Sequence, residues 1–305
     1  MTGIGNSTAA FFNRSLDQMG DLRRSIERLQ TQIATGQRIE RGSDDPAGAA
    51  QLRAIARREA LSAAEKENAN ALSRDLSQAA DELGDVANIL IRVRELAVAA
   101  GSETMPESAR LVIAEEIDQL GEELFDRANA LSLAGEPLFA GTASGPAFLR
   151  DGAGNVTYNG NGASGAVPVA PGTEIERGLP GNAIFEFDVS GSQTSAFAVL
   201  TGLADALRGG APDPAAAARA AIDGLDAALD STTRSQAVLG TRLAWVEIVQ
   251  DNQNQRAVTL AEQRSETGDT DIASAIARLQ QTLTALEASQ AGFARVSSLS
   301  LFDAL

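Results

Sequence analysis

Apolar residues recur at both ends of this chain with alternating spacings of three and four, the period of a helix that packs through one narrow stripe. Near the N-terminus the stripe runs Phe12, Met19, Leu22, Ile26, Leu29 and Ile33. Near the C-terminus it runs Ile272, Ile276, Leu279, Leu283, Leu286 and Phe293, again in coiled-coil register. A lone helix cannot bury such a stripe. Each must find the other end of the chain or a neighbouring molecule.

Between the ends the pattern predicts further long helices. The first stripe stops at Thr35-Gly36, where glycine suits a helix terminus. Ser43-Asp44-Asp45-Pro46 then reads as a helix start, with Asp45 as the cap and Pro46 at the first helical position, where its missing N–H costs nothing. This second helix runs to about 100 on Leu72, Leu76, Ala79, Leu83, Val86, Leu90, Val93, Ala97 and Ala100. A third carries Ile113, Ile117, Leu120, Leu124 and Leu131.

After Gly135-Glu136-Pro137 the period changes. The runs 147–149, 156–158, 167–169 and 184–189 read as strands set between Gly, Asn and Asp turns, and in the last of them Phe185, Phe187 and Val189 are expected to face inward. Helix returns near 195–207. Pro212-Asp213-Pro214 restarts it, and Ile222, Leu225, Leu229, Leu239, Leu243, Val246, Ala257 and Leu260 predict a helix antiparallel to 46–100. Gln236, Gln250 and Gln253 fall on that seam, where they either fix register or mark solvent exposure. Gly268-Asp269-Thr270-Asp271 ends this helix and caps the last.

The expected fold is therefore mainly α with a small β-rich inserted domain: an elongated antiparallel bundle of long helices with coiled-coil termini. The expected divisions are an N-terminal assembly helix (1–42), the first half of a helical rod (43–137), the β-rich insertion (138–192), the second half of the rod (193–267) and a C-terminal assembly helix (268–305).

Composition narrows the chemistry. The 305 residues are 44% hydrophobic but only 4% aromatic, a balance suited to slim helical packing rather than to aromatic-anchored pockets. There is no Cys and no His, which removes disulfides, thiol nucleophiles, Ser-His-Asp relays and nearly every zinc site. We expect no catalytic residue, no cofactor and no metal. A net charge of −16 argues against nucleic acid as a partner. The charge is uneven: residues 1–58 hold nine Arg against six acidic residues, a net of +3, which leaves −19 for the rest. No apolar run reaches the roughly 18–20 residues needed to span a bilayer, so membrane insertion is not expected. Met1-Thr2-Gly3-Ile4-Gly5-Asn6 has neither the basic nor the apolar region of a cleavable signal.

Short motifs add little. Gly160-Asn161-Gly162-Ala163-Ser164-Gly165 spells a dinucleotide fingerprint, but that loop must open a helix, and here Pro168 and Pro171 follow. Asp151-Gly152-Ala153-Gly154-Asn155 lacks the alternating acidic ligands of a calcium loop. Asp151, Glu174, Glu176, Glu186 and Asp188 show no pairing of the kind a carboxylate-only hydrolase needs.

Two longer segments carry more information. Thr35-Gly36-Gln37-Arg38-Ile39-Glu40-Arg41-Gly42-Ser43-Asp44-Asp45-Pro46-Ala47-Gly48-Ala49-Ala50 and Ile89-Leu90-Ile91-Arg92-Val93-Arg94-Glu95-Leu96-Ala97-Val98 resemble the two N-terminal signatures of the bacterial flagellin superfamily. With the helical ends, the resemblance covers about 1–135 and 195–305. Pro137-Leu138-Phe139-Ala140-Gly141-Thr142 and the ending Ser298-Leu299-Ser300-Leu301-Phe302-Asp303-Ala304-Leu305 are similar to its hook–filament junction branch rather than to the filament subunit, with Ala304 departing from the usual Tyr.

The resemblance implies an extracellular structural subunit of the bacterial flagellum, exported unfolded through the flagellar type III apparatus without signal cleavage. It implies termini that are disordered in the monomer, a ring of copies between flagellin and another hook-associated protein, and a cytoplasmic export chaperone on the C-terminal helix. It also makes Arg92, Arg94, Glu95 and Leu96 candidates for contact with a neighbouring subunit. A filament flagellin is the alternative reading.

Overall fold

The computed structural model describes residues 3–302, with side chains over 10–296; Met1, Thr2 and the last three residues of the Ser298–Leu305 ending lie outside the described residues. The elements run α1 (Gly3–Thr35), α2 (Pro46–Ala100), α3 (Glu107–Ala128), β1 (Phe148–Arg150), β2 (Val156–Tyr158), β3 (Ala166–Ala170), β4 (Thr173–Glu176), α4 (Gly181–Phe185), β5 (Glu186–Val189), β6 (Ser192–Ser195), α5 (Ala196–Asp205), α6 (Pro214–Gly268) and α7 (Ile272–Phe302), with one π-helical turn (Ala206–Gly210) after α5.

Local chemistry sets most helix ends. Gly36 adopts φ +71°, a left-handed conformation that closes α1. Asp213 Oδ1 accepts the Ala216 N–H at 3.0 Å at the start of α6. Asp271 Oδ1 accepts from Ala273 at 3.1 Å and Ser274 at 3.2 Å at the start of α7. The third helix stops earlier than its apolar period suggests. Leu131 lies past the end of α3, 52% exposed, in an isolated antiparallel bridge with Pro137.

The chain divides into two compact units, Met1–Ala60 with Arg256–Leu305, and Leu61–Gln255. The division falls inside α2 and α6 rather than at the loops at 36–45 and 268–271. Within the first unit, the opening turns of α2 and the closing turns of α6 associate with the loops that root α1 and α7.

In the second unit α2 and α6 run antiparallel with a constant register. Lys66 Nζ donates to Asn254 Oδ1 at 2.9 Å, Gln250 Nε2 to Asn70 Oδ1 at 3.0 Å, Arg94 Nε to Asp226 Oδ1 at 2.5 Å and Arg219 to the Gly101 carbonyl at 2.6 Å. Each step up α2 is matched by an equal step down α6. Their facing residues, among them Leu76, Leu83, Leu90, Val93, Leu225, Leu239 and Val246, are buried and continuous with Ile117 and Leu124 of α3 and Leu200 of α5.

The insertion is three separate antiparallel hairpins, β1–β2, β3–β4 and β5–β6, and not one sheet. Ile184 and Phe185, expected in a strand, belong to the short helix α4; both are buried, and β5 begins only at Glu186. The strands also reach Ser195, beyond the expected boundary at 192. Few as they are, the aromatic residues concentrate here. The Phe148 ring lies 5.3 Å from Phe185, 5.1 Å from Phe197 and 5.3 Å from Tyr158, and Phe139 meets Phe185 at 6.1 Å. Low aromatic content did not preclude an aromatic core.

Gln253 and its neighbours explain the polar seam of α6. Gln253, 2% exposed, donates to the Val169 carbonyl of β3 at 2.5 Å, and Asn68 of α2 donates to the Pro168 carbonyl at 2.9 Å. Gln253 is thus neither solvent-exposed nor paired across the helices. It ties the β3–β4 hairpin to the bundle, while Gln250 makes the cross-helix amide bond to Asn70.

Candidate assembly surface

Helices α1 and α7 pair with each other in the first unit, and the pairing sorts the expected seam residues into two groups. Met19 and Ile26 of α1 are buried at 8% exposure each, with Phe12, Leu22, Leu29 and Ile33 half-buried beside them. From α7 come Ala275, Leu279, Thr282, Leu286, Ser289 and Phe293. The Phe12 and Phe293 rings meet edge to face at 5.1 Å.

Ile272, Ile276 and Leu283 stand outside this pair, 47%, 42% and 39% exposed. Ile272 lies on the Leu279–Leu286–Phe293 line, at the first residue of α7, whereas Ile276 and Leu283 lie about 60–80° from that line at 3.6 residues per turn. The positions Ile276 and Leu283 were expected to take in the pair are filled instead by Ala275, Thr282 and Ser289. Counting only large apolar residues could not find these small ones. Heptad lettering itself places Ile276 and Leu283 off the line shared by Ile272, Leu279, Leu286 and Phe293. The pair thus leaves an apolar strip on α7 open, together with Leu16 and Phe11 on α1.

At the root of the arms lie Asp45 and Pro46. Pro46 is the first residue of α2, and Asp45 Oδ1 accepts the Gly48 N–H at 2.9 Å. That bond, with help from the Arg38 guanidinium, holds the Asp45 carboxyl below the usual carboxylate range against a smaller opposing effect of desolvation. Gly48 leaves room for the ends of the Asp45 and Ile39 side chains. A Cβ there would sit 2.5 Å from Asp45 Oδ2 and 2.6 Å from Ile39 Cδ1.

The candidates at 92–96 lie differently from expectation. Leu96 is 7% exposed and belongs to the core, so it is out of reach of a neighbouring chain. Arg92 is engaged within the chain, its Nε 2.9 Å from Glu116 Oε1 on α3 and its Nη1 3.2 Å from Glu95 Oε2. Arg94 is held by Asp226 of α6. Arg92 and Arg94 lash α2 to α3 and α6, and the carboxylates they bond, Glu116 chiefly for Arg92 and Asp226 for Arg94, raise each arginine's hold on its proton. The signal that reads as a contact motif is in good part a packing motif.

Several carboxylates of the insertion also serve structure. Asp151 accepts from the backbone of Ala153 and Asn155 at 2.9 Å each, Asp188 accepts the Gly191 N–H at 2.7 Å, and Glu176 pairs with Arg242. Among the described residues no group of His, Cys, Asp or Glu could hold a metal ion, and no helix is long and apolar enough to cross a membrane.

Residues 7–144 match the family described as the bacterial flagellin N-terminal helical region. The chain is 28% identical over 286 residues to flagellar hook-associated protein 3 of Escherichia coli (strain K12), covering 89% of this chain and 90% of that protein. It is 26% identical over 312 residues to flagellar hook-associated protein 3 of Salmonella typhimurium (strain LT2), covering 97% of this chain and 98% of that protein. Among solved structures, the flagellar junction protein FlgL from Legionella pneumophila shares the fold with a TM-score of 0.59 at 16% identity, over 72% of this chain and 100% of that chain. The family match spans the segments at 35–50 and 89–98.

Proposed function

We infer that this flagellin-like chain is a structural subunit of the bacterial flagellum, an adaptor at the hook–filament junction that polymerises through α1 and α7. The carrying observation is similarity along almost the whole chain to hook-associated protein 3 of two organisms, joined to a helix pair that leaves Ile272, Ile276 and Leu283 uncovered. The uncovered strip supplies apolar area for a further helix, and a neighbouring copy of the same pair offers one.

In this reading the two arms are loose in the isolated subunit and order on docking. A two-helix pair with Met19, Ile26 and Ala275 as its buried residues is a thin counterweight to backbone ordering, which costs about 1–2 kcal/mol per residue. Assembly adds the missing layer. The subunit then sits in a ring outside the cell, between flagellin and another hook-associated protein, having been exported unfolded with a chaperone on the C-terminal helix. It works by packing and carries out no catalysis.

Two experiments test this. Immunogold labelling of intact flagella should give one band at the proximal joint; continuous decoration would identify a filament subunit instead. Ile276→Asp with Leu283→Asp should abolish incorporation without changing the fold of 61–255, and normal incorporation of this double variant would remove the role of the strip.

A further inference from the structure

The roots of α1 and α7 are joined by groups far apart in sequence. Gln37 and Asp269 form an isolated antiparallel bridge, closed by the Arg38 N–H to the Gly268 carbonyl at 2.7 Å and the Thr270 N–H to the Gly36 carbonyl at 2.8 Å. The Arg38 side chain adds two bonds in opposite directions. Its Nη2 donates to the Thr267 carbonyl at 2.6 Å, and its Nη1 to Asp45 Oδ2 at 3.2 Å. Gln32 Nε2 in turn holds the Arg38 carbonyl at 2.8 Å.

The physical logic is specific to this position. Thr267 and Gly268 end α6, where carbonyls have no partner inside the helix and the helix dipole favours a cation. Asp45 begins α2, where the dipole favours an anion. A guanidinium set between them satisfies orphan carbonyls of one helix and neutralises the capping carboxylate of the other. Lysine offers no planar fork to serve both at once.

We propose that Arg38, with the Gln37–Asp269 bridge, is a clasp that fixes the roots of α1 and α7 side by side, so that the two arms are presented for docking as one pair. Arg38 is a positioning residue in this scheme and touches no neighbouring subunit. The proposal rests on the assembly reading above for its consequence, while the clasp itself belongs to the isolated chain.

The test exploits the absence of cysteine from the sequence. Gln37 and Asp269 form a directly opposed antiparallel pair outside the ladder bonds, a geometry with Cα atoms about 4.5 Å apart and within disulfide reach. Gln37→Cys with Asp269→Cys should therefore oxidise readily to an intramolecular disulfide in the purified subunit. Adding Arg38→Ala should slow that oxidation by about tenfold, the order expected when charge-assisted hydrogen bonds are lost. An unchanged rate would overturn the clasp whatever the protein assembles into.

The consequence is read separately, by adding purified protein to cells whose flagella lack the subunit. Arg38→Ala should cut incorporation by roughly tenfold, on the same energetic scale, and Arg38→Lys should recover only part of it. The preoxidised triple variant should return to within about twofold of the native chain, since the covalent link replaces the clasp. Failure of the disulfide to restore incorporation, or normal incorporation of Arg38→Ala, would overturn the positioning role. If Ile276→Asp with Leu283→Asp incorporates normally while Arg38→Ala still slows oxidation, the assembly reading fails and the clasp stands.

Discussion

The α1–α7 pair and the core around α2 and α6 use the same kind of stripe to different ends. Along α2 the residues Leu72, Leu76, Leu83, Val86, Leu90 and Val93 are all within 2% exposure, because α6, α3 and the insertion enclose them. Along α1 the best-covered stripe residues, Met19 and Ile26, still reach 8%, and Ile272, Ile276 and Leu283 of α7 are exposed. A stripe enclosed by several elements makes a core; one met by a single helix leaves an unsatisfied edge. The difference sets the scaffold apart from the surface we propose for assembly.

The comparison can be broken most sharply in the scaffold. Phe148→Ala should lower unfolding free energy in urea by about 3–5 kcal/mol, the cost of a large buried aromatic, since its ring touches Phe185, Phe197 and Tyr158. Gln253→Leu should cost about 1–3 kcal/mol by leaving the buried Val169 carbonyl without its donor. It should also raise amide exchange in β3 and β4 selectively. A uniform loss across the unit would show that the hairpin and bundle are not linked through this amide.

Smaller effects are expected at the arms. Asp45→Ala should lower the thermal unfolding midpoint of the helical signal through a lost N-cap, with Asp45→Asn close to native. Because the folded pKa of Asp45 is lowered, its stabilising contribution is fully present above the unfolded value of 3.8 and is lost as pH falls through the lower folded value. Asp151, lowered chiefly by its bond to the Asn155 side chain, acts in the same direction. Below pH 3.8 the native chain should therefore lose stability more steeply than Asp45→Asn, and parallel titrations would count against the cap. Ile276→Asp with Leu283→Asp should leave the main unfolding transition unmoved.

Much of this architecture was legible from local signals. Pro46 and Pro214 mark the first residues of the two longest helices, and Ala100 ends one of them, because proline, capping aspartate and apolar period act over a few residues. The hairpins were less legible. Thr173–Glu176 and Ser192–Ser195 are strands without an apolar alternation to announce them, and Phe185 entered a helix because Pro180-Gly181 starts a turn just before it. In the candidate site, spacing alone separates Ile276 and Leu283 from the Leu279–Leu286–Phe293 line, whereas which of the two lines is covered required knowing where α1 lies.

Sequence alone determined where the two longest helices begin and end, which of their faces are apolar and that the chain carries no thiol or imidazole, since each depends on residue identity or near-neighbour spacing. Only the tertiary structure decided that Leu96 is core, that Gln253 anchors a hairpin and that Arg38 bridges the end of α6 to the cap of α2. Those outcomes depend on groups brought together from as far as 229 residues away, and no local pattern encodes the distance between them.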